Sequence, residues 1–175
     1  MSDRVVIDRI RPEDAEAMRA MILAIQRDEF GFDITLADQP DLADGGLFDT
    51  GGFYTAGDGA FWVARDRSDV VGAVALRDCG DRLGALRKMF VAPTHRGRDA
   101  AGSSVSANLL EALLAHARAA GFERLLLGTT ERFVAAHRFY EKHGFRRVPE
   151  SELPAGFPRM AVDTRFYRLD LLADG

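Results

Sequence analysis

Cysteine is nearly missing: Cys79 is the only one in 175 residues, so no internal disulfide framework is available, which agrees with a reducing compartment. No run approaches the ~18 consecutive apolar residues a membrane span needs, and the start of the chain lacks the basic-then-apolar pattern of a secretion signal. The expectation is a cytoplasmic protein with no membrane partner. A basic excess is also lacking. Lys and Arg number 23 against 27 Asp and Glu, giving a formal charge of −4. Nucleic acid is therefore not an expected partner, although Arg96, Arg98, Arg146 and Arg147 concentrate positive charge locally. No repeat, low-complexity tract or linker interrupts the chain. What remains is ordinary for a globular protein, with 47% hydrophobic and 29% charged residues. One domain over residues 1–175 with a real core is expected.

The stretch from Leu86 to Gly144 carries the most information. Leu86 to Ala92 reads as a strand stopped by Pro93, and Arg96 to Ser104 as a polar turn holding two glycines and two arginines. Val105, Leu109, Leu110, Leu113, Leu114 and Ala117 then recur at three- and four-residue steps, which is an apolar stripe on a helix. Ser103 or Ser104 can cap its start and Gly121 its end. A strand entering a basic glycine turn that opens a helix is a device for holding phosphate, since unpaired N–H groups and the helix dipole favour an anion there. Glu123 to Thr129 is a short apolar run of buried-strand type, and a second helix is predicted over Glu131 to His143, with Thr130 as cap and Gly144-Phe145 as stop.

The remaining elements are simpler. Arg4 to Ile10 reads as a strand and Arg11-Pro12-Glu13-Asp14 as a helix start, followed by core-facing Ala15, Met18, Met21, Ile22 and Ile25. Residues 28–50 hold seven carboxylates and no Lys or Arg, interleaved with Phe30, Phe32, Leu36, Leu42, Leu47 and Phe48; a short helix within Asp38 to Phe48 is expected. Ala60 to Arg65, Val70 to Leu76 and Leu83 to Val91 form an antiparallel meander. Phe145 to Val148 and Thr164 to Leu172 are the last strands, joined by a loop marked by Pro149, Pro154, Gly156 and Pro158.

Leu86–Val91, the run His95-Arg96-Gly97-Arg98 with the Leu109-Leu110 helix behind it, and Ala136-His137-Arg138-Phe139-Tyr140-Glu141-Lys142-His143-Gly144-Phe145 resemble the GNAT superfamily of N-acetyltransferases. The resemblance implies an α/β (α+β) fold: a mixed, mostly antiparallel central sheet flanked by helices, with the CoA site at a splayed strand end. It implies an acetyl-CoA-dependent N-acetyltransferase that moves an acetyl group to a small amine by direct attack in a ternary complex. No metal is expected, and a homodimer is compatible with the resemblance.

Residue by residue, the resemblance assigns Tyr140 as general acid. Phe90 and Val91 would face the cofactor arm, with an N–H near Val91 holding the oxyanion. Arg96, Gly97, Arg98, Ala101, Gly102 and Ser103 would hold the pyrophosphate. Thr129 would flank the arm, and His137 would contact it where many members carry Asn. The family turn reads Arg/Gln-x-x-Gly-x-Gly/Ala. Counting from Arg96, Asp99 falls in the middle glycine slot, so either Asp99 points outward and Gly102 makes the close approach, or CoA affinity is reduced. The acidic, aromatic segment makes Glu29, Phe32 and Asp33 the acceptor-side candidates and points to a cationic amine. Arg87 and Lys88 are expected on a solvated or phosphate-facing side. The base is open among Glu29, Asp33, a water chain and bulk solvent. The alternative function is a ligand-sensing or interaction domain of the same fold with weakened CoA catalysis. A nucleotide-binding regulator using the same turn is disfavoured by the missing P-loop lysine.

Overall fold

Residues 5–99 and 102–171 are described by a computed structural model. The order is β1 (Val5–Arg9), α1 (Ala15–Ala24), α2 (Asp44–Phe48), β2 (Ala60–Asp66), β3 (Asp69–Asp78), β4 (Leu83–Val91), α3 (Val105–Ala120), β5 (Arg124–Thr129), α4 (Val134–Lys142), β6 (Arg146–Val148) and β7 (Arg165–Asp170). The strands make one sheet in the order β1-β2-β3-β4-β5-β7-β6. Every pairing is antiparallel except β4 with β5.

Alternation along the strands builds a core on each face. Phe61 and Val63 of β2 face Met18, Ile22, Leu42 and Leu47, while Trp62 and Ala64 face Leu109, Leu110 and Leu113 of α3. The leucine stripe thus packs as its spacing predicts, and Gly72 allows it to lie close: a Cβ there would stand 2.9 Å from Leu109 Cδ1. Ser104 caps α3 by accepting from the Ala107 N–H at 3.2 Å, and Gly121 ends the helix at φ +88°.

Three boundaries differ from expectation. The helix predicted from Glu131 starts at Val134, with Phe133 at the cap position; Thr130 stands in the turn before it, its hydroxyl accepting from the Arg132 N–H at 3.4 Å and its carbonyl from the Phe133 N–H. The first helix runs on from Ala24 into a wide π-type turn over Ile25–Glu29. The expected short helix divides into a 3-10 turn, Pro40–Leu42, and α2.

The feature that positions the site is a divergence. β4 and β5 pair only through Leu83–Ala85 and Arg124–Leu126; beyond that, Leu86–Val91 and Leu127–Thr129 separate. A bulge contributes: the β3–β4 register slips between Ala73 and Ala75, and Lys88 opposite has φ +56°.

Candidate active site

A cleft of about 520 Å³ lies on the α3 and α4 side of the splay, lined by Phe90, Val91, Arg96, Gly97, Ser106, Arg132, Phe139 and Tyr140 among others. Behind it, an inner cavity of about 80 Å³ occupies the gap itself, bounded by Lys88, Thr129, Tyr140 and Asp163. A third hollow of about 610 Å³ opens on the far side, between Phe32, Asp33, Asp41, Arg87, Arg159 and Met160. The three share walls. Met89, Phe90, Phe133, Ala136 and Tyr140 belong to the first two, and Phe32, Ile34, Arg87, Met160 and Val162 to the second and third. The three hollows therefore adjoin one another across the sheet at the splay.

The cofactor-side expectations divide. Phe90, Val91, Arg96, Gly97 and Tyr140 line the cleft. Ala92 sends its N–H to Val71 O at 2.9 Å, so by strand alternation the Val91 N–H turns the other way, into the gap. Thr129 is buried on the inner cavity and its hydroxyl has no hydrogen-bond partner, so a donor or acceptor entering there would be held. Tyr140 is 5% exposed, and burial pushes its phenol above the usual range, so it remains protonated at neutral pH.

Others are placed differently. Arg98 folds within the turn, its Nη1 donating to Gly102 O at 2.6 Å, and it does not line the cleft. Asp99 is exposed, and its Oδ1 accepts from the Ser103 N–H at 2.9 Å, so a carboxylate already occupies one amide expected to meet phosphate. Gly102, at φ +81°, donates its N–H to Asp99 O, which closes the turn on itself. Ala101 lies outside the described residues. His137 is turned from the cleft, with Nδ1 accepting from Arg165 Nη1 at 2.9 Å and Nε2–H donating to Thr130 O at 2.8 Å; it holds α4 against β7. Glu29, expected on the acceptor side, lines the same cleft as Arg96 and Tyr140. It takes both ends of Arg96, at 2.5 and 2.8 Å, and this pair holds the Glu29 carboxyl below the usual carboxylate range.

The far side holds residues the sequence reading missed. Arg87 and Lys88, expected in solvent or toward phosphate, are both buried and both reach Asp41 Oδ2 at 3.6 Å. Two successive strand residues normally point to opposite faces; the bulge at Lys88 breaks that rule. Tyr54 donates to Asp41 at 2.5 Å and accepts from Arg87 Nε at 3.1 Å. Lys88 donates to Gln39 Oε1 at 2.7 Å, and Gln39 exchanges two 2.9 Å bonds with Gln26. One signal was available: Met18, Ile22 and Gln26 follow a four-residue step, which places an amide in an apolar stripe. The phenylalanines of the acidic segment close the roof, with Phe30 4.4 Å and Phe32 5.9 Å from the Phe133 ring centroid. Asp33 is exposed at the outer rim.

A family model described as the acetyltransferase (GNAT) family matches residues 20–145. N-acetylaspartate synthetase from Danio rerio is 34% identical over 113 residues, 62% of this chain and 38% of that protein. The chain thus spans about two fifths of the length of that relative. An acetyltransferase of the GNAT family from Staphylococcus aureus Mu50 superposes with a TM-score of 0.85 at 30% identity, covering 96% of this chain and 99% of that one. N-acetylglutamate synthase from Neisseria gonorrhoeae, solved with coenzyme A and N-acetyl-glutamate, shares the fold at 16% identity. Its TM-score is 0.67, over 98% of this chain and 36% of that one.

Proposed function

The chain belongs to the acetyltransferase (GNAT) family, and from that premise we propose that residues 1–175 act as one catalytic unit. That unit would transfer an acetyl group from acetyl-CoA to the amine of a small acceptor, by direct attack with both substrates bound. The observation that carries this reading is the row of adjoining hollows at the β4–β5 splay, because a donor and an acceptor entering from opposite faces would meet at the inner one. The inner cavity, of about 80 Å³, has room for an acetyl group.

The cofactor's fit is supported by the unpartnered Thr129 hydroxyl and the inward Val91 N–H, which suit the polar atoms of a pantetheine arm and its thioester oxygen. Arg96, Gly97 and Ser106, at the foot of α3, would meet the pyrophosphate once Glu29 releases the guanidinium. Tyr140 reaches both cavities with its proton in place and would supply it to the departing sulfur.

The acidic segment offers an acceptor less negative charge than its composition suggests. Glu29 is committed to Arg96, Asp44 to Arg19 and Asp41 to three partners, which weakens the case for a purely cationic acceptor. Asp33, Asp38 and Asp41 share the outer pocket with Arg87 and Arg159. Carboxylates beside guanidiniums favour a zwitterion, an amino acid whose ammonium enters first, and the relative named for N-acetylaspartate points the same way. Free-CoA release from acetyl-CoA, screened over amino acids, polyamines and aminoglycosides, tests both levels. Release with amino acids supports the narrower reading, and release with polyamines restores the cationic one. No release with any amine, together with no binding of acetyl-CoA, rejects the enzyme in favour of a sensing domain.

A further inference from the structure

Resting on that reading, one function has no residue assigned to it: removal of the proton with which an amine arrives at neutral pH. Glu29 is locked to Arg96 in the cofactor cleft, and Asp33 sits at the outer rim. Among the described residues, the titratable side chains lining the inner cavity are Arg87, Lys88, Asp163 and Tyr140.

We infer that Lys88 is the general base, acting as a neutral amine inside the splay. Lys88 lines the inner cavity where acceptor and thioester would meet, and its side chain is 2% exposed. Burial, with the Arg87 charge beside it, favours the neutral form, while Asp41 and Asp163 oppose it. Facing it are Gln39 Oε1 at 2.7 Å, Asp41 Oδ2 at 3.6 Å, Met160 Sδ at 3.8 Å, and the charges of Arg87 and Asp163. Asp41 already serves Arg87 and the Tyr54 hydroxyl, so one shared carboxylate faces two cations. Burial, only partly opposed by Asp41, brings the Lys88 ammonium down to about 8. Gln39 fixes the nitrogen's position. Its Oε1 is the atom presented to Lys88 because its Nε2 is directed to Gln26 Oε1 and Thr35 O. A neutral Lys88 amine has two N–H groups, for Gln39 Oε1 and Met160 Sδ, and one lone pair left to take a proton.

The step balances. The Nζ lone pair takes a proton from the acceptor ammonium: one acceptor N–H bond breaks and one Nζ–H bond forms. The free amine forms the N–C bond to the thioester carbonyl, and the C–S bond breaks with its electron pair on sulfur. Tyr140 gives the sulfur a proton and regains one from the nitrogen as it becomes an amide. Lys88 discharges its proton to solvent past Asp41, which reaches the outer pocket.

Asp163 is the competing base. Its carboxyl is raised by burial, but Oδ2 is held by the Met160 N–H at 2.9 Å over the flat of Gly128. A carboxyl is also further from an ammonium in proton affinity than an amine is.

The test is the pH dependence of kcat/KM for the wild type, Lys88→Met, Lys88→Arg and Asp163→Asn, with acetyl-CoA binding measured by calorimetry for each. The expected wild-type profile has a rising limb near 8. Lys88→Met should bind acetyl-CoA as wild type yet lose about 10²-fold in kcat/KM at neutral pH. It should recover as the pH passes the acceptor's own pKa. Lys88→Arg should remain as impaired, since a guanidinium keeps its proton. Recovery of activity in Lys88→Arg overturns the inference and makes residue 88 an anchor for an acceptor carboxylate. Loss of the limb in Asp163→Asn but not in Lys88→Met transfers the role to Asp163. If Lys88→Met fails to fold, the wild-type profile alone decides: no limb near 8 overturns the base. An absence of CoA release from any acceptor sinks the transferase reading itself, a different outcome from release with an unaltered profile.

Discussion

The two mouths of the splay are built on opposite plans. The mouth proposed for the cofactor is built mostly from β4 through α4, with Ile25, Glu29 and Phe30 added from the end of the first helix, and the protein's own carboxylates already hold Arg96 and the Ser103 N–H: Glu29 the first and Asp99 the second. The acceptor mouth gathers Gln26, Gln39, Asp41, Tyr54, Lys88 and Asp163 from five separated places, and there the cations reach the carboxylate from within the core. In the first the ion pair is partly exposed, so a strong anion would enter it by exchange. In the second Lys88 and Asp41 are buried, and burial perturbs proton affinities instead.

The largest effect that would sharpen this contrast lies where the mouths meet. Tyr140→Phe should lower turnover about 10²-fold or more while leaving acetyl-CoA affinity nearly intact; unchanged turnover in a coupled CoA-release assay removes the phenol from the chemistry. On the cofactor mouth alone, Arg96→Ala should weaken CoA about tenfold. The loss should be much smaller for a pantetheine analogue lacking the pyrophosphate, and an equal loss would place Arg96 away from phosphate. Glu29→Gln should act in the opposite direction. It should tighten CoA by up to about fivefold, the worth of an exposed ion pair, in the same titration.

The smallest effect belongs to the buried mouth and needs no substrate. Lys88 titrates near 8 when folded against an ordinary 10.5, so the unfolded chain holds more protons between those values. Stability should therefore rise with pH through that window relative to Lys88→Met, and the difference should be flat below it. Chemical denaturation at several pH values reads this directly; a flat difference throughout would show that the ammonium is as comfortable buried as in water.

The same contrast explains what could be read from the chain. The meander, the leucine stripe of α3 and its Ser104 cap follow from local period and capping chemistry, and the glycine turn with Tyr140 forms one continuous motif. The fold was accordingly legible in outline. Inside that outline, Asp99 and Arg98 bond to Ser103 and Gly102 within a turn whose path no sequence period specifies, and His137 bonds to Arg165, a partner set by tertiary packing. Arg87 and Lys88 looked like a solvated pair because nothing in their sequence announces a bulge with positive φ at residue 88. Gln26 in an apolar stripe was the single visible trace of the buried network, and its partner Gln39 is thirteen residues away.

The most direct measurement is a crystal structure of the protein with a non-hydrolysable acetyl-CoA analogue. The account predicts pyrophosphate against Arg96, Gly97 and Ser106 with Glu29 displaced, and the acyl group in the β4–β5 gap between Thr129 and Tyr140. A complex in which Glu29 still clasps Arg96 and the acyl group lies outside the splay would contradict it.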